Sequence, residues 1–580
     1  MQCIEKFMRF LKANTISILV VLVFLCYTLI SFSIYKERTL NGDIDNHILS
    51  GEMFGVPIDL KNRGIKPLFY GPGQTGWDGQ FYYYMSNDVF ALKDTASHID
   101  SNAYRYQRIG LSLYAAIIAK ILGFDWVSPT TFFISYLFLI IAATWAGARL
   151  FSKIGRHPAL ILFWSLSVGT QITLFNALPD AAADAFLILA LSSVYVKRYT
   201  LSVIPFVFAA LSREVYVLFP SFVLLFLLIN LISAAWVSNN DCFTDFVGRL
   251  LKWKNYHWLV LPAMIAIVWH IYIVQHFGKS PSEQAHGVLG YPFVAWKDYF
   301  LLGINSNHQV VGTAGIFGYE EAGSLVFFLS ILAIALWISS NILVKPYKLI
   351  SAEIRGIAMA LICFVFLYVS FGPTVMMHYT GYFKAIAVFF FLIPLLLVYT
   401  DVNRIKVVFV YLLLIVALSF TTFYNMNAKI LAFTSSEDQY TKMSTITETR
   451  RIECFGKYEA KIKVNDIKVI NVGDLSRLFG RGNLMVVNLD LINSGDHPFI
   501  STRNFGSVHM SYHWVDKHGE VVLDGIRSAI PGVLLPGKST QVNIVSSIPK
   551  DVGELSLKLS PVQEGCSWFY LANPAISDHL

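Results

Sequence analysis

The feature that most constrains this chain is a series of long apolar runs between Thr15 and residue 424, separated by short polar breaks. The first 425 of the 580 residues carry only 51 Asp, Glu, Lys and Arg side chains, whereas the last 155 carry 32. About 25% of the residues in a soluble domain are charged, and a run of roughly 20 apolar residues is long enough to cross a bilayer as a helix. The sequence therefore predicts a polytopic α-helical membrane domain over residues 1–425, which excludes a purely cytosolic protein.

The number of spans depends on one short segment, Ile109–Phe124, which is apolar but carries Lys120. We interpret it as an interfacial helix lying on the outer membrane surface. If the runs at 180–196 and 200–214 formed one helix, the parity would flip and the C-terminus would be cytoplasmic, but Pro205 favours a break. About 11 spans are then predicted, at 15–35, 129–148, 159–178, 180–196, 200–214, 215–236, 257–275, 324–343, 356–375, 383–400 and 407–424.

Basic residues orient these spans. With the N-terminus in the cytoplasm and an uncleaved first span, every predicted inner loop carries Lys or Arg, as the positive-inside rule expects. The net charge of +7 follows from these loops, so we expect no nucleic-acid partner. Residues 36–128 then form a large first periplasmic loop with interfacial helices, and the C-terminal region is also periplasmic. The basic loop residues are Arg149, Lys153, Arg156, Lys197, Arg198, Arg249, Lys252, Lys254, Lys345, Lys348, Arg355, Arg404 and Lys406.

After a linker at 426–454, the pattern changes to the period-two alternation of half-buried strands. Five such strands, at 461–464, 484–491, 508–515, 541–545 and 554–559, predict an immunoglobulin-like β-sandwich domain over residues 455–580. Cys454 and Cys566 are the only cysteines in this outer region. They could form a disulfide or remain two buried thiols.

Unusual polar residues gather on the predicted outer face, at loops and span ends. Ionisable groups at membrane depth are costly and usually face a cavity or a partner. A carboxylate can take a proton from an acceptor hydroxyl, and Arg and Lys can bind a phosphate and stabilise its charge as it leaves. This composition indicates group transfer from a lipid phosphate. The set comprises Asp43, Asp45, Asp78, Tyr82, Asp88, Arg105, Arg108, Asp180, Asp184, Arg213, Glu214, His378, Tyr382 and Lys384.

The stretch Trp77-Asp78-Gly79-Gln80-Phe81-Tyr82 resembles the Trp-Asp-Gly-x-x-Tyr stretch in the first loop of several GT-C glycosyltransferases. Tyr104-Arg105-x-x-Arg108, Asp180 and Arg213-Glu214 resemble positions that recur in related bacterial membrane proteins. The resemblance covers about the first 220 residues. It implies a GT-C-like fold, a polyprenyl-phosphate-linked sugar donor, and an essential acid either at Asp78 or, just beyond the first span, at Asp43 or Asp45.

Roles for the remaining residues follow from their chemistry. Arg105, Arg108, Arg213 and Lys384 are predicted to bind the donor phosphate or lipid. The predicted substrate-positioning residues are Asp88, Asp180, Asp184, Glu214, Tyr82, His378 and Tyr382. No cofactor is required for this chemistry, although Asp43 and Asp45 could bind a divalent cation such as Mg²⁺ or Mn²⁺.

Structural alternatives stand beside these roles. Asp78 could organise a turn, Asp180 could cap a helix, and Arg213 and Glu214 could form an ion pair that closes a hairpin.

The expected activity is transfer of a sugar to a surface-glycan acceptor, such as O-antigen or lipopolysaccharide, at the periplasmic face of a bacterial inner membrane. Two other functions remain open. A lipid-linked glycan flippase or transporter usually has two related halves and charges near the midplane, and no such repeat is visible here. A glycan polymerase or ligase with a lipid-diphosphate donor would share the same topology.

Overall fold

A computed structural model of the chain describes most of its length, with gaps between the described segments. These segments are residues 14–29, 48–51, 53–67, 76–237, 256–285, 287–305, 319–346, 349–376, 379–440, 453–470, 484–501, 506–525, 527–530, 533–548, 555–576 and 578–579. Up to residue 440 the regular structure in these segments is almost entirely helical, and from residue 460 onward it is mainly strand. The change in sequence pattern near residue 455 therefore coincides with a change from helices to a β-rich region.

The α-helices differ widely in length, and the long ones are apolar. They are Asn14–Leu29, Ile58–Asn62, Gly79–Ser86, Asn102–Gln107, Gly110–Ile121, Pro129–Lys153, Leu162–Ser165, Val168–Phe175, Asp180–Tyr195, Tyr199–Ser212, Leu218–Val237, Leu261–Phe277, Pro281–Gln284, Val294–Asn305, Tyr319–Val344, Ala352–Val369, Pro373–Met376, Tyr379–Ile386, Phe389–Leu397, Arg404–Tyr440 and Phe569–Ala572.

Seven helical segments in the described part of the chain are long and apolar enough to cross a bilayer. An eighth is added if Pro158–Ser165 and Val168–Phe175, which meet at a bend of 54°, are one broken span. The chain is therefore a helical membrane protein. The seven segments are Pro129–Lys153, Glu214–Ser233, His257–Phe277, Ala322–Val344, Ala352–Val369, Thr380–Leu397 and Arg404–Thr422.

The other predicted spans correspond to shorter helices. Asp180–Tyr195 has 16 residues and is about 24 Å long at 1.5 Å per residue, below the roughly 30 Å of a bilayer core. Twelve of the 16 residues of this helix are buried within the protein. The helices Asn14–Leu29 and Tyr199–Ser212 are also short, so the count of eleven stays a prediction.

The segment that decided the span count forms a helix of 12 residues, Gly110–Ile121. At about 18 Å it is too short to cross a bilayer core. Leu111, Ala115 and Ala119 lie on its buried side, whereas Ile121 and the following Leu122 are exposed. The helix therefore packs along one side on the protein and ends in an exposed apolar tip.

The β-rich region contains eleven strands in its described segments. Strands β1, β2 and β8 form one antiparallel sheet in the order β1-β2-β8. A larger sheet has the order β10-β9-β4-β5, with β11 paired to β9 and β6 to β4, and β3 pairs with β7. The strands are β1 Ala460–Ile470, β2 Leu484–Asn493, β3 Phe499–Ile500, β4 Val508–Val515, β5 Val521–Asp524, β6 Ser528–Ala529, β7 Val533–Leu534, β8 Ser539–Ser547, β9 Ser556–Gln563, β10 Ser567–Trp568 and β11 Asp578–His579.

All five predicted strands coincide with or overlap observed ones. Alternate residues on the two larger sheets contribute to one hydrophobic cluster, with Leu489 and Ile544 from one sheet and Met510 and Leu559 from the other. Trp514 lies in the same cluster and donates its Nε1–H to Ser546 Oγ at 3.0 Å. This aromatic side chain therefore belongs to the core.

Cys454 and Cys566 form a disulfide that closes 112 residues of sequence. Cross-linking a loop of about 100 residues stabilises a folded region by roughly 4–5 kcal/mol in the loop-entropy estimate. We expect the double substitution Cys454→Ser/Cys566→Ser to lower the melting temperature of the β-rich region, measured by calorimetry. A reducing agent should give the same shift in the parent protein and none in the variant, whereas equal melting temperatures would contradict the prediction.

Candidate functional site

An ion-pair network connects three residues of the polar region before helix Pro129–Lys153, namely Asp78, Asp100 and Arg105. Arg105 donates two hydrogen bonds to Asp100, from Nε at 3.0 Å and from Nη2 at 2.8 Å. Its third nitrogen, Nη1, donates to Oδ2 of Asp78 at 3.0 Å. The Arg105 side chain is only 11% exposed, whereas that of Asp78 is 49% exposed. One Asp78 oxygen is thus bonded while the carboxylate stays accessible.

A second pair of contacts extends the network to the membrane helices. Arg108 donates to both carboxylate oxygens of Glu214, at 3.1 and 3.0 Å. Nη1 of Arg213 lies 3.1 Å from Oδ1 of Asp180. Arg213 and Glu214 therefore have their closest ionic partners on other segments, and the interpretation as an ion pair closing a hairpin is wrong.

Asp180 is the first residue of its helix, directly after Pro179 at the N-cap position. A carboxylate in the first turn interacts favourably with the helix dipole. Asp180 therefore lies at the start of its helix and also pairs with Arg213.

Lys384, on helix Tyr379–Ile386, brings another positive charge to the same place. Its charge acts on both Asp78 and Asp180. Except for Asp88, the described carboxylates and cations predicted from separate parts of the sequence therefore form one cluster. Its described members are Asp78, Asp100, Arg105, Arg108, Asp180, Asp184, Arg213, Glu214 and Lys384.

Arg213 has donors without hydrogen bonds although it is more than 90% buried. Within the described part of the chain, neither its Nε nor its Nη1 has a partner in hydrogen-bond geometry, and the buried hydroxyl of Tyr368 has none either. The two side chains interact electrostatically. Leaving a buried charged donor unsatisfied costs more than a neutral one. Because Nη1 faces Asp180 at 3.1 Å, Nε is the donor best suited to an anion.

Asp184 lies one helical turn after Asp180 and is fully enclosed. Trp164 donates its Nε1–H to Oδ2 at 3.0 Å, and the Tyr216 hydroxyl bonds to Oδ1. Both carboxylate oxygens are thus bonded to protein groups. Within the cluster, Asp184 ties three helical segments together.

Two glycines allow the segments of the cluster to approach one another. A Cβ on Gly79 would lie 1.9 Å from the carbonyl oxygen of Asn176, and one on Gly110 would lie 2.3 Å from Ser212 Oγ. Gly79 follows Asp78 directly, and Gly110 is two residues after Arg108. Close packing at these points places Asp78 beside the loop that leads to Asp180, and Arg108 beside Glu214.

We therefore expect Gly79→Ala to displace Asp78 from the cluster. Overpacking costs about 1–3 kcal/mol, and more is expected here because the closest atom belongs to the backbone. The measurement is the melting temperature of the purified protein, with Gly456→Ala as the control because a Cβ there meets no atom within 4 Å. Equal melting temperatures for the two variants would show that the approach at Gly79 is not required.

The cations of the cluster keep Asp78 ionised. Desolvation by the surrounding protein raises the pKa of Asp78, but the charges of Arg105 and Lys384 outweigh it and hold the pKa below its usual value of 3.8. Burial likewise raises the pKa of the Tyr82 hydroxyl to about 12. Asp78 is therefore a carboxylate and Tyr82 a neutral phenol at neutral pH.

Some predicted residues lie elsewhere or have structural contacts. The Asp88 carboxylate accepts hydrogen bonds from the backbone N–H groups of Leu92 and Lys93, at 2.9 and 3.0 Å, so it organises a turn and does not join the cluster. Tyr82 is buried, with its ring 6.0 Å from the Arg105 guanidinium. Tyr382 is buried against aromatic rings.

Asp43, Asp45 and His378 lie outside the described residues. Within the described segments, no group of three or more His, Cys, Asp or Glu side chains is arranged to bind a metal ion.

Several contributors were not predicted. Asp100 lies in the polar loop just before the short helix Asn102–Gln107. Trp164, Tyr216 and Tyr368 lie among apolar residues and look like core. Only their contacts with charged residues in the folded protein distinguish these three side chains from ordinary core residues.

Comparison with protein-family models, curated proteins and solved structures gave no match. The fold and site therefore define a helical membrane protein with a β-rich C-terminal region and a cluster of ion pairs.

Proposed function

We propose that this protein is a glycosyltransferase that transfers a sugar from a polyprenyl-phosphate carrier to a surface-glycan acceptor. The observation that carries the proposal is the combination, in one cluster, of an accessible carboxylate and a buried arginine whose Nε has no hydrogen-bond partner in the described part of the chain. Asp78 supplies the first and Arg213 the second. A carboxylate can act as general base on a hydroxyl, and a buried guanidinium can bind a phosphate.

In the proposed reaction, Asp78 acts on the acceptor and the cations act on the donor phosphate. The acceptor hydroxyl gives its proton to Asp78 while its oxygen bonds to the anomeric carbon of the sugar. The bond from that carbon to the phosphate oxygen breaks, and the electron pair leaves with the polyprenyl phosphate. Arg213 and Lys384 stabilise the charge that develops on the phosphate, and Asp78 later releases its proton to water.

Two ion pairs, Arg105–Asp100 and Arg108–Glu214, hold the charged residues of the cluster in position. Asp100 fixes Arg105 with two hydrogen bonds, and Arg105 in turn orients Asp78 with a third. Glu214 holds Arg108 in the same way. Arg108 and Arg105 also stack near the Tyr104 ring, at 4.3 and 5.8 Å, which limits their freedom. Groups fixed before the reaction do not have to be reoriented during it.

The proposed cellular setting is a bacterial inner membrane, with the N-terminus cytoplasmic and the cluster and β-rich region in the periplasm. The positive-inside rule supports this orientation, and the Cys454–Cys566 disulfide supports an oxidising compartment for the β-rich region. The full proposal has eleven spans of GT-C type and an immunoglobulin-like β-sandwich. The sheets that share one hydrophobic cluster support the sandwich.

The test is reconstitution of the purified chain in liposomes with a radiolabelled polyprenyl-phosphate sugar and a glycan acceptor. We expect label to pass covalently to the acceptor with release of polyprenyl phosphate. Movement of the lipid across the bilayer without covalent transfer would contradict the proposal and favour a flippase. Transfer only from a lipid-diphosphate donor would instead favour a polymerase or ligase.

The pH dependence follows from the lowered pKa of Asp78. The ionised base is required, so we expect kcat/KM to fall only as pH drops through a pKa below 3.8. The ionised Asp78 stabilises the folded protein fully at pH values above the pKa that it has in the unfolded chain. This stabilisation is lost as the pH falls through its lower pKa in the folded protein. Arg105→Gln removes a charge that lowers the pKa and should move the acid limb of the pH–rate profile to higher pH. An unmoved limb would indicate that Asp78 is not the group that titrates.

A further inference from the structure

A cavity of about 380 Å³ lies at the opposite end of helix Asp180–Tyr195 from the ion-pair cluster. Its lining on this helix begins at Leu191, 11 residues and about 16 Å after Asp180, so the cavity is distinct from the proposed active site. Its volume falls within the range of roughly 300–1,000 Å³ that is usual for small-molecule sites. Three of the long apolar segments, Pro129–Lys153, Ala352–Val369 and Thr380–Leu397, surround it together with helix Asp180–Tyr195.

The cavity has an apolar interior and a polar mouth. Leu191, Ile357 and Leu395 are among its lining residues and are buried, whereas Lys197 and Ser351 at its edge are exposed. Apolar walls disfavour water, and a cavity in this position is filled more favourably by hydrocarbon. An occupant must therefore have an apolar chain and a polar head.

The charges at the mouth indicate the sign of that head. Lys197 pairs with Glu353, which also bonds to the Tyr199 hydroxyl, so this carboxylate is already neutralised. Arg198 directly follows Lys197, is exposed, and has no ionic partner within the described part of the chain. Predicted inner loops are basic at the same end of the helices, and such surfaces attract anionic lipids.

We propose that this cavity binds one acyl chain of an anionic membrane phospholipid, with the phosphate of its headgroup at Arg198 and Lys197. The bilayer around the protein supplies this ligand, so no soluble partner is needed. The site is independent of the proposed sugar transfer, because none of its residues belongs to the ion-pair cluster.

The test uses detergent-purified full-length protein incubated with phosphatidylglycerol or phosphatidylcholine and examined by native mass spectrometry. We expect one phosphatidylglycerol to remain bound at collision energies that remove phosphatidylcholine. Val194→Trp, which fills the cavity, should abolish retention, and Ile204→Trp, on a lipid-exposed position, should not. Arg198→Gln should reduce the preference for phosphatidylglycerol at least several-fold.

Three results would overturn the proposal: equal retention of both lipids, retention by the cavity-filled variant, or an unchanged preference after Arg198→Gln. If Val194→Trp does not reach the membrane, the smaller Ile357→Phe fills the same space. Loss of binding in both Ile204→Trp and the cavity variants would mean that the lipid lies on the outer helix surface.

Discussion

Asp78→Asn is expected to lower kcat for sugar transfer about 100-fold, near the lower end of the 10²–10⁴-fold usual for general base catalysis. The lower end is expected because Arg105 and Lys384 lower the pKa of Asp78, which makes it a weaker base. Folding should change little, since Arg105 keeps both hydrogen bonds to Asp100. The measurements are initial rates in liposomes and the melting temperature of the same preparation.

Asp59→Asn is the matched control. Asp59 lies in the same loop, its side chain is also 49% exposed, and it pairs with Lys93 at 2.6 Å. Losing a surface ion pair of this kind costs at most about 1 kcal/mol, so both activity and stability should be retained. Asp43→Asn and Asp45→Asn complete the set. Loss of activity in one of them, with Asp78→Asn fully active, would place the base there, and full activity in all three would exclude base-assisted transfer.

Sequence reasoning identified most of the charged residues of the cluster because charges are rare in this part of the chain. Asp78, Arg105 and Asp180 stand out against an apolar background, and the cost of burying them is a general physical argument. Asp88 stands out equally, yet its carboxylate bonds to two backbone N–H groups nearby. Sequence cannot separate these cases, because both roles place an acid in a polar loop.

The pairing of the charges was beyond sequence reasoning for a different reason. Arg213 and Glu214 are neighbours in the chain, and their adjacency suggested a shared ion pair. The structure pairs them with Asp180 and Arg108, up to 106 residues away. Such partners depend on how helices pack, and in this protein the packing depends on close approaches at Gly79 and Gly110. A glycine in a loop sequence gives no sign of which backbone will approach it.

The span count shows a further limit. Hydropathy predicts a span from length and composition, so the runs at 180–196 and 200–214 counted as crossings. Twelve of the 16 residues of helix Asp180–Tyr195 are buried within the protein. A helix in that position need not match the bilayer thickness, because its ends contact other protein segments. Its two carboxylates are satisfied by Arg213, Trp164 and Tyr216.

Arg213→Gln is expected to weaken binding of the polyprenyl-phosphate donor by about 100-fold or more. Hydrogen bonds to charged groups contribute roughly 1.5–3 kcal/mol each. In the described structure Arg213 Nε has no hydrogen-bond partner, and Nη1 faces Asp180 at 3.1 Å outside hydrogen-bond geometry. The same change should destabilise the protein by about 3 kcal/mol, because Asp180, 7% exposed, loses its partner. A loss of stability alone would be ambiguous, so the double variant is essential.

The double variant Asp180→Asn/Arg213→Gln removes both charges of the pair. Its stability should return most of the way to that of the parent, since no uncompensated charge remains buried. Donor affinity should stay as low as in Arg213→Gln, because the guanidinium is still missing. Recovery of donor affinity together with stability would show that Arg213 only balances Asp180 and does not contact the phosphate.

Arg355→Gln provides a control for the burial of arginine itself. Arg355 is 1% exposed and donates to the backbone carbonyl groups of Leu343 and Lys345, away from the cluster. This variant should lose stability while its donor affinity, measured on the folded fraction, is unchanged. Arg213→Lys then separates charge from geometry. It keeps the positive charge but loses the planar donor pair, so an intermediate donor affinity is expected if both matter.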